Sequence, residues 1–294
     1  MCSSLSRVRS GSARGVHVAN PYLAFAEQSL TLAAPLALAA TAGYLSERSG
    51  VVNIALEGKM LVACAALALL APKIGVWPAL GVALAAAMVL ALLHWAATQI
   101  YRIDGIISGT VVNALSLGGT SFAALAFPVE AGSMPPVPRS PLYVLAFVLP
   151  FLVGLYVAHT RGGLRLLASG SDPEKARLVG VSPLAVRFWA LLGCGAIAGL
   201  GGAILVAETG VFSDGMTSGR GYIALAALIL GGWRPIPTLL ACIVFGAAGA
   251  AQIALQGTGG LPSEVWAMLP YLATLVALAT AVSRGRAPAG LGKL

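Results

Sequence analysis

The chain has 294 residues, 58% of them hydrophobic and only 10% charged, with a mean hydropathy of +0.89. A soluble domain needs roughly a quarter of its residues charged to cover its surface, so a water-soluble fold is excluded. The formal charge of +8 comes from Lys and Arg spread through polar loops, the pattern that orients membrane proteins. No clustered basic and aromatic face offers itself to nucleic acid.

The first residues, MCSSLSRVRSGSARGVHVAN, are polar, basic and rich in Ser and Gly. They lack the apolar core and small-residue cleavage site of a signal peptide, and residues 1–28 are expected to be a cytoplasmic tail. Apolar blocks follow at Ser29–Leu45, Val51–Ala71, Val76–Ala97, Ile106–Phe127, Leu142–His159, Phe188–Ala207, Gly221–Trp233, Ile236–Gln256 and Val265–Val282. Runs of about 20 apolar residues match a bilayer-crossing helix, and their continuity excludes the alternating strands of a barrel. The expected fold is all-α: a polytopic helical membrane protein of eight or nine segments, with a membrane domain over 29–283 and a tail over 284–294. Abundant Gly and Ala predict close helix packing. Cys2, Cys64, Cys194 and Cys242 have neither disulfide nor metal spacing and read as small packing residues; no metal site is expected.

The polar loop HTRGGLRLLASGSDPEKARLVGVSPLAVR (160–187 and its flank) is basic and therefore expected to be cytoplasmic. Downstream loops then alternate sides consistently. Upstream they do not: two full crossings before Lys73 would leave Arg7, Arg9 and Arg14 outside. The preferred resolution is that Ser29–Ala71 makes one net crossing through a broken element. The stretch SERSGVVNIALEGKM, with Glu47, Arg48, Asn53, Glu57 and Lys59 between two apolar runs, is the expected break.

Non-helical backbone at membrane depth is tolerated only where protein or a watery cavity surrounds it. If the chain is helical from Val51, Asn53 and Glu57 share one face and could meet a polar solute. The competing reading is an interfacial turn whose charges snorkel to headgroups. The echo of SGVVNIAL (Ser49–Leu56) in SGRGYIAL (Ser218–Leu225) is a weak internal repeat. Its second copy opens a short apolar segment, and such paired interruptions point to a transport site. Lys59 is expected where the segment meets the interface, and His94 and His159, at segment ends, are also read as interfacial.

Within the basic loop, Asp172 precedes Pro173, Glu174 and Lys175, the pattern of a helix N-cap with Pro at the first position; Gly180 then suits the stop. Such a helix is either a docking knob for a soluble partner or a solvated interfacial turn. No Walker-type G-x-x-x-x-G-K-[ST] and no nucleophile–base pair are present, so neither nucleotide hydrolysis nor other catalysis is expected of this chain.

Four stretches, ERSGVVNIALEGKML, DGIISGTVVNALSLGGTS, TRGGLRLLASGSDPEKARLVGVSPLAVRFWALLGCGAIAGLGGA and SGRGYIALAALILGGWRP, together resemble the permease subunits of bacterial ABC importers. The resemblance is to the branch shared by branched-chain amino acid, ribose-type sugar and nucleoside systems, and its wording is most similar to the nucleoside and simple-sugar permeases. It implies a multi-pass protein of the bacterial inner membrane that binds no cofactor itself. Its implied partners are a second homologous permease, cytoplasmic ATPase subunits using ATP, an external substrate-binding lipoprotein and membrane lipid. Asn53, Glu57, Ser108, Asn113 and Tyr222 would line the translocation path. Asp172, Pro173, Glu174, Arg177 and Gly180 would form the helix that couples to the ATPase. Lys59 departs from the apolar residue expected after LEG. Apart from the resemblance, a self-contained secondary carrier or channel using Glu57 or Asp104 remains as the alternative.

Overall fold

The computed structural model describes residues 20–129, 132–256, 262–280 and 287–293. Among them every regular element is helical: α1 (Pro21–Arg48), α2 (Leu56–Ile74), α3 (Val76–Trp95, continued by a π-helical turn over Ala96–Ile100), α4 (Gly105–Ala126), α5 (Arg139–His159), α6 (Arg161–Ser171), α7 (Pro173–Leu178), α8 (Pro183–Thr209), α9 (Arg220–Leu230), α10 (Pro235–Leu255), α11 (Ser263–Ala267) and α12 (Leu269–Thr280). Six of these are long and apolar enough to cross a membrane: α1, α3 with its π turn, α4, α5, α8 and α10.

α1 starts eight residues ahead of the expected Ser29, its N-terminus capped where Asn20 Oδ1 accepts from the Tyr22 N–H at 3.1 Å. It forms the centre of the bundle. Ala33 to Glu47 are all buried, and the helix packs chiefly on α10, α8, α9 and α5. Burial of an alanine-rich helix calls for close approach, which glycine and alanine on its neighbours supply. Gly246 of α10 lies on Ser29 and Ala33, Gly201 of α8 on Pro35 and Leu38, and Gly193 of α8 beside Leu45.

These contacts also fix direction. α8 leaves the end of the molecule that carries α6 and α7, here termed basal, and α1 runs antiparallel to it, from the opposite, apical end down to Arg48. α2 runs the other way: Asn53 meets Cys194 near the start of α8, whereas Met60 and Ala63 meet Gly202 further along. α3 then descends beside α8, with Ala87 and Met88 at Gly195, and α4 rises beside α2. Arg139 of α5 binds the Ala207 carbonyl at the apical end, so α5 descends to α6.

The expectation of one net crossing over Ser29–Ala71 is therefore corrected. The chain comes down through α1 and goes back up through α2, which places Asn20 at the same end as Lys73. The reversal occurs at Ser49–Gly50, where Gly50 adopts φ +99°, a left-handed conformation that an L side chain rarely enters. Arg7, Arg9 and Arg14, on which the parity argument rested, lie outside the described residues, as do Cys2 and Arg284 and Arg286 of the expected tail. The described part of that tail, 287–293, is packed at the basal end rather than free: the Gly290 N–H donates to the Gly170 carbonyl and the Gly292 N–H to the Gly50 carbonyl, both at 2.9 Å.

Candidate functional site

Between α1 and α2 the chain from Ser49 to Ala55 is not helical, yet Ser49, Gly50, Val51, Asn53 and Ala55 are buried. An unpaired carbonyl in such a place costs several kcal/mol in hydrocarbon, so partners within the protein are required. Distant side chains and backbone provide them. Arg187 Nε and Ser169 Oγ donate to the Ser49 carbonyl, the Gly292 N–H to Gly50, Ser46 Oγ to Val51, His94 Nε2 to Val52, and Asn113 Nδ2 to Ile54. Because the Val52 carbonyl only accepts, Nε2 of His94 carries the proton, and in the neutral ring Nδ1 accepts from Ser108 Oγ–H at 2.9 Å. His94 is thus buried and holds the break in place, which corrects its interfacial reading.

α2 starts only at Leu56, so Asn53 and Glu57 do not share a helical face. Asn53 turns into the protein: its Oδ1 accepts from Lys59 Nζ at 2.7 Å and its Nδ2 donates to Cys194 Sγ at 3.1 Å. Lys59 has no exposed surface at all, which corrects its expected place at the interface. Glu57 points the other way. Its two carboxylate oxygens accept from the backbone N–H groups of Gly219 (2.7 Å) and Gly221 (2.6 Å), the open N-terminus of α9.

Two half-helices therefore meet with their N-termini together. α2 is entered from the basal side through Ser49–Ala55, and α9 from the apical side through the non-helical residues 210–219. Each N-terminus carries roughly half a positive charge, and the single carboxylate of Glu57, in the first turn of one and capping the other, serves both. Gly221 is what allows the approach: a Cβ there would fall 2.5 Å from the Glu57 nitrogen. Asn113 of α4 closes the cluster, its Oδ1 accepting from the Gly58 N–H (2.8 Å) and its Nδ2 donating to Tyr222 Oη (2.9 Å). Glu57, Asn113 and Tyr222 are thus brought together. Ser108 lies lower on α4 beside His94, and Asn53 is separate.

The echoed octapeptides share the left-handed glycine, Gly50 at φ +99° and Gly219 at φ +77°, but not their conformation. In the first copy the carbonyls are held by outside partners and the helix is delayed to Leu56. In the second Glu57 satisfies the free N–H groups and the helix starts at Arg220.

The cluster opens on one side of the molecule. Tyr222 is 47% exposed, and the adjoining face of α4 presents Thr110, Ala114, Leu117 and Gly118 with no covering element among the described residues. One turn apical of Gly58 and Ser116 begins a groove of about 400 Å³ between α2 and α4, lined by residues such as Val62, Ala66, Leu69, Thr120 and Ala123. Residues 25–278 match the family described as the branched-chain amino acid transport system permease component. The chain belongs to this permease family. It is 33% identical to the guanosine ABC transporter permease protein NupQ of Bacillus subtilis, covering 90% of this chain and 93% of the relative. The nucleoside ABC transporter permease protein NupC of Lactococcus lactis is 30% identical over 93% of this chain and 96% of its own. The putative glucose ABC transporter permease protein TsgC13 of Haloferax volcanii is also 30% identical, over 85% and 88%.

At the basal end of the permease, α7 is built as its sequence pattern indicates. Asp172 Oδ1 accepts from the Lys175 N–H at 3.1 Å, Pro173 occupies the first position, and Gly180 follows the helix at φ +79°. Lys175 Nζ pairs with Asp172 Oδ2 at 3.1 Å. Glu174 and Arg177 are exposed, and Leu178 and Val179 project 86% and 76% exposed, an apolar tip on a charged stub.

Of the residues that hold the break, sequence reasoning read Lys59 and His94 as interfacial and Cys194 as a packing residue, and it gave Gln99, Ser169 and Arg187 no role there. Their one signal was polarity within or beside an apolar run, which says that a partner exists but not which. Among the described residues there is no group of His, Cys, Asp or Glu able to hold a metal ion. Cys64, Cys194 and Cys242 are free and buried, and His159 is exposed at the end of α5.

Proposed function

We propose that this permease is the membrane-spanning subunit of an ATP-driven importer for a nucleoside. It would work with a second homologous permease, cytoplasmic ATPase subunits and an external binding lipoprotein in a bacterial inner membrane. The observation that carries the reading is the Glu57–Asn113–Tyr222 cluster, a polar site at the meeting of two half-helices that faces out of its own chain. A polar group at membrane depth is not left against lipid. A second permease covering this face would turn it into a path, and α2, α4 and α9 would line it.

The chemistry suits a neutral polar solute. Glu57 balances the two helix ends, so the site presents no large net charge. Tyr222 accepts from Asn113, which leaves its own O–H to donate and its exposed ring to stack on a planar base. The two nucleoside relatives support a nucleoside, and the glucose relative supports a simple sugar as the second reading. The basal end is taken as cytoplasmic because Arg102, Arg161, Arg165, Arg177 and Arg234 gather there. α7, with Asp172, Pro173, Glu174, Arg177 and Gly180, is the element that would seat in the ATPase. A secondary carrier is disfavoured because Glu57 is fully engaged and Asp104 caps α4 through Ile106 and Ile107.

The test is uptake of labelled guanosine by cells with and without the gene. Uptake that depends on the gene, is abolished by ATP depletion, and is competed by other nucleosides but not by ribose or guanine is expected. Competition by ribose alone would move the assignment to sugars, and uptake driven by a proton gradient without ATP would overturn it.

A further inference from the structure

Arg187 is the largest fully buried side chain described, at 1% exposure, and no carboxylate among the described residues pairs with it. Its guanidinium instead ties three separate parts of the chain. Nε donates to the Ser49 carbonyl in the break at 3.2 Å, Nη1 to Gln99 Oε1 in the π turn at 2.6 Å, and Nη2 to the Lys293 carbonyl at 2.9 Å. Arg187 stands in the first turns of α8, directly after the α6–α7 stub. The segment 287–293 completes the ring. Its Gly290 N–H binds the Gly170 carbonyl at the end of α6, its Gly292 N–H binds the Gly50 carbonyl, and Gly290 lies against Pro173 of α7. Ser169 of α6 adds a direct bond to Ser49.

The joint is made tight by glycine. A Cβ on Gly170 would fall 2.0 Å from the Arg48 carbonyl oxygen, and one on Gly50 would lie 2.9 Å from Arg187 Nη2. Five neutral carbonyl or amide acceptors are thus bound within one small region, where the end of α1, the break, α6–α7, the π turn and the C-terminal segment converge. A planar guanidinium with five fixed donors can span such divergent acceptors; a lysine ammonium on a single stem cannot hold all three in the same geometry.

We propose that Arg187, with the strap Pro288–Lys293, is a positioning residue for transport: a clasp that makes α6–α7 and the broken segment Ser49–Ala55 move as one body. This rests on the reading of α7 as the ATPase-facing element. Displacement of α7 would then be passed through Gly170 and the strap to Gly50, and so to the base of α2 that carries Glu57.

The experiment uses the complete transporter in proteoliposomes, with guanosine as the probed solute, and compares wild type with Arg187→Gln, Arg187→Lys and a chain ended after Arg286. The clasp predicts assembly and basal ATP hydrolysis within twofold of wild type. It also predicts at least a tenfold fall in guanosine carried per ATP for Arg187→Gln and the truncation, with Arg187→Lys between. Spin labels at Val52, half-buried in the broken segment, and at Leu178, exposed on α7, report the same claim without any solute. Their separation should stay constant between nucleotide-free and ATP-bound states in wild type and change in the variants. A constant separation in every variant, an unchanged ratio of guanosine to ATP, or loss of assembly in all three would each overturn the clasp. Failure of wild type to carry guanosine, with the label result intact, would count against the solute assignment alone.

Discussion

Lys59 has no exposed surface, and its Nζ donates to a single amide oxygen, Asn53 Oδ1, at 2.7 Å. Asn53→Leu would leave Lys59 Nζ buried without this partner, and a buried polar group left unsatisfied costs about 1–3 kcal/mol. Loss of folded protein, read as a lowered midpoint of thermal unfolding in detergent, is expected. Asn53→Leu combined with Lys59→Met removes both groups and should recover most of the loss, because replacing a buried polar pair by apolar side chains is often neutral. An Asn53→Leu protein of normal stability would refute the pairing. The sequence located the break, but a shared face for Asn53 and Glu57 depended on a helix running from Val51, since a spacing of four means a shared face only within a helix. The helix begins between them, and the partners that delay it, His94, Asn113 and Arg187, lie far along the chain.

The half-helix pair is held by one carboxylate at a contact only a glycine permits. Gly221→Ala would drive a methyl group to 2.5 Å from the Glu57 nitrogen and 2.7 Å from its Cα, both backbone atoms that cannot swing aside. The helix ends would have to separate, so uptake should fall at least tenfold while α10 and α12 stay inserted; wild-type uptake by this variant would show that the contact is dispensable. For α7, the Asp172 carboxyl is held below the usual aspartate range, chiefly by the Lys175 backbone N–H and then by its side chain. A depressed folded value means that the cap is fully effective above the usual pKa of about 3.9 and is lost as the pH falls through the lower folded value. A spin label at Leu178 should therefore keep constant mobility from pH 7 to about 4 and loosen only below that. Loosening near pH 6 would mean that another group holds the helix. The α7 boundaries were legible in advance because N-cap, Pro and Gly act locally. The depth at which α2 and α9 begin was not, because it is set by contacts between elements.

Across the whole molecule, the reversal at Gly50 puts the starts of α1 and α3 at one end and α7 and Arg234 at the other. With Cys2 replaced by Ser and the buried Cys64, Cys194 and Cys242 left in place, single cysteines at Tyr22 and Lys73 should react with an impermeant maleimide from the same side. Cysteines at Leu178 and Arg234 should react from the opposite side. Labelling of Tyr22 and Lys73 from different sides would restore the single crossing. The class of fold and the membrane-spanning blocks followed from composition and run length, which depend on each segment alone. The crossing parity did not, because loop charge biases orientation without counting short or broken helices.

The buried break also has a consequence for synthesis. Its partners Cys194 and Arg187 follow it by 141 and 138 residues, so α1 and α2 leave the ribosome long before the groups that complete their backbone exist. Until α6 and α8 arrive, the carbonyl of Ser49 and the Nδ2 of Asn53 must be kept by water, by the insertion machinery or by a provisional contact. Nascent chains arrested after α5 should leave a cysteine at Val52 reactive to a water-soluble reagent, and chains arrested beyond α8 should protect it; equal protection in both would mean that the first helices mature alone. The polar stretch is thus a late-closing seam, and the order of translation decides when this protein can first become watertight.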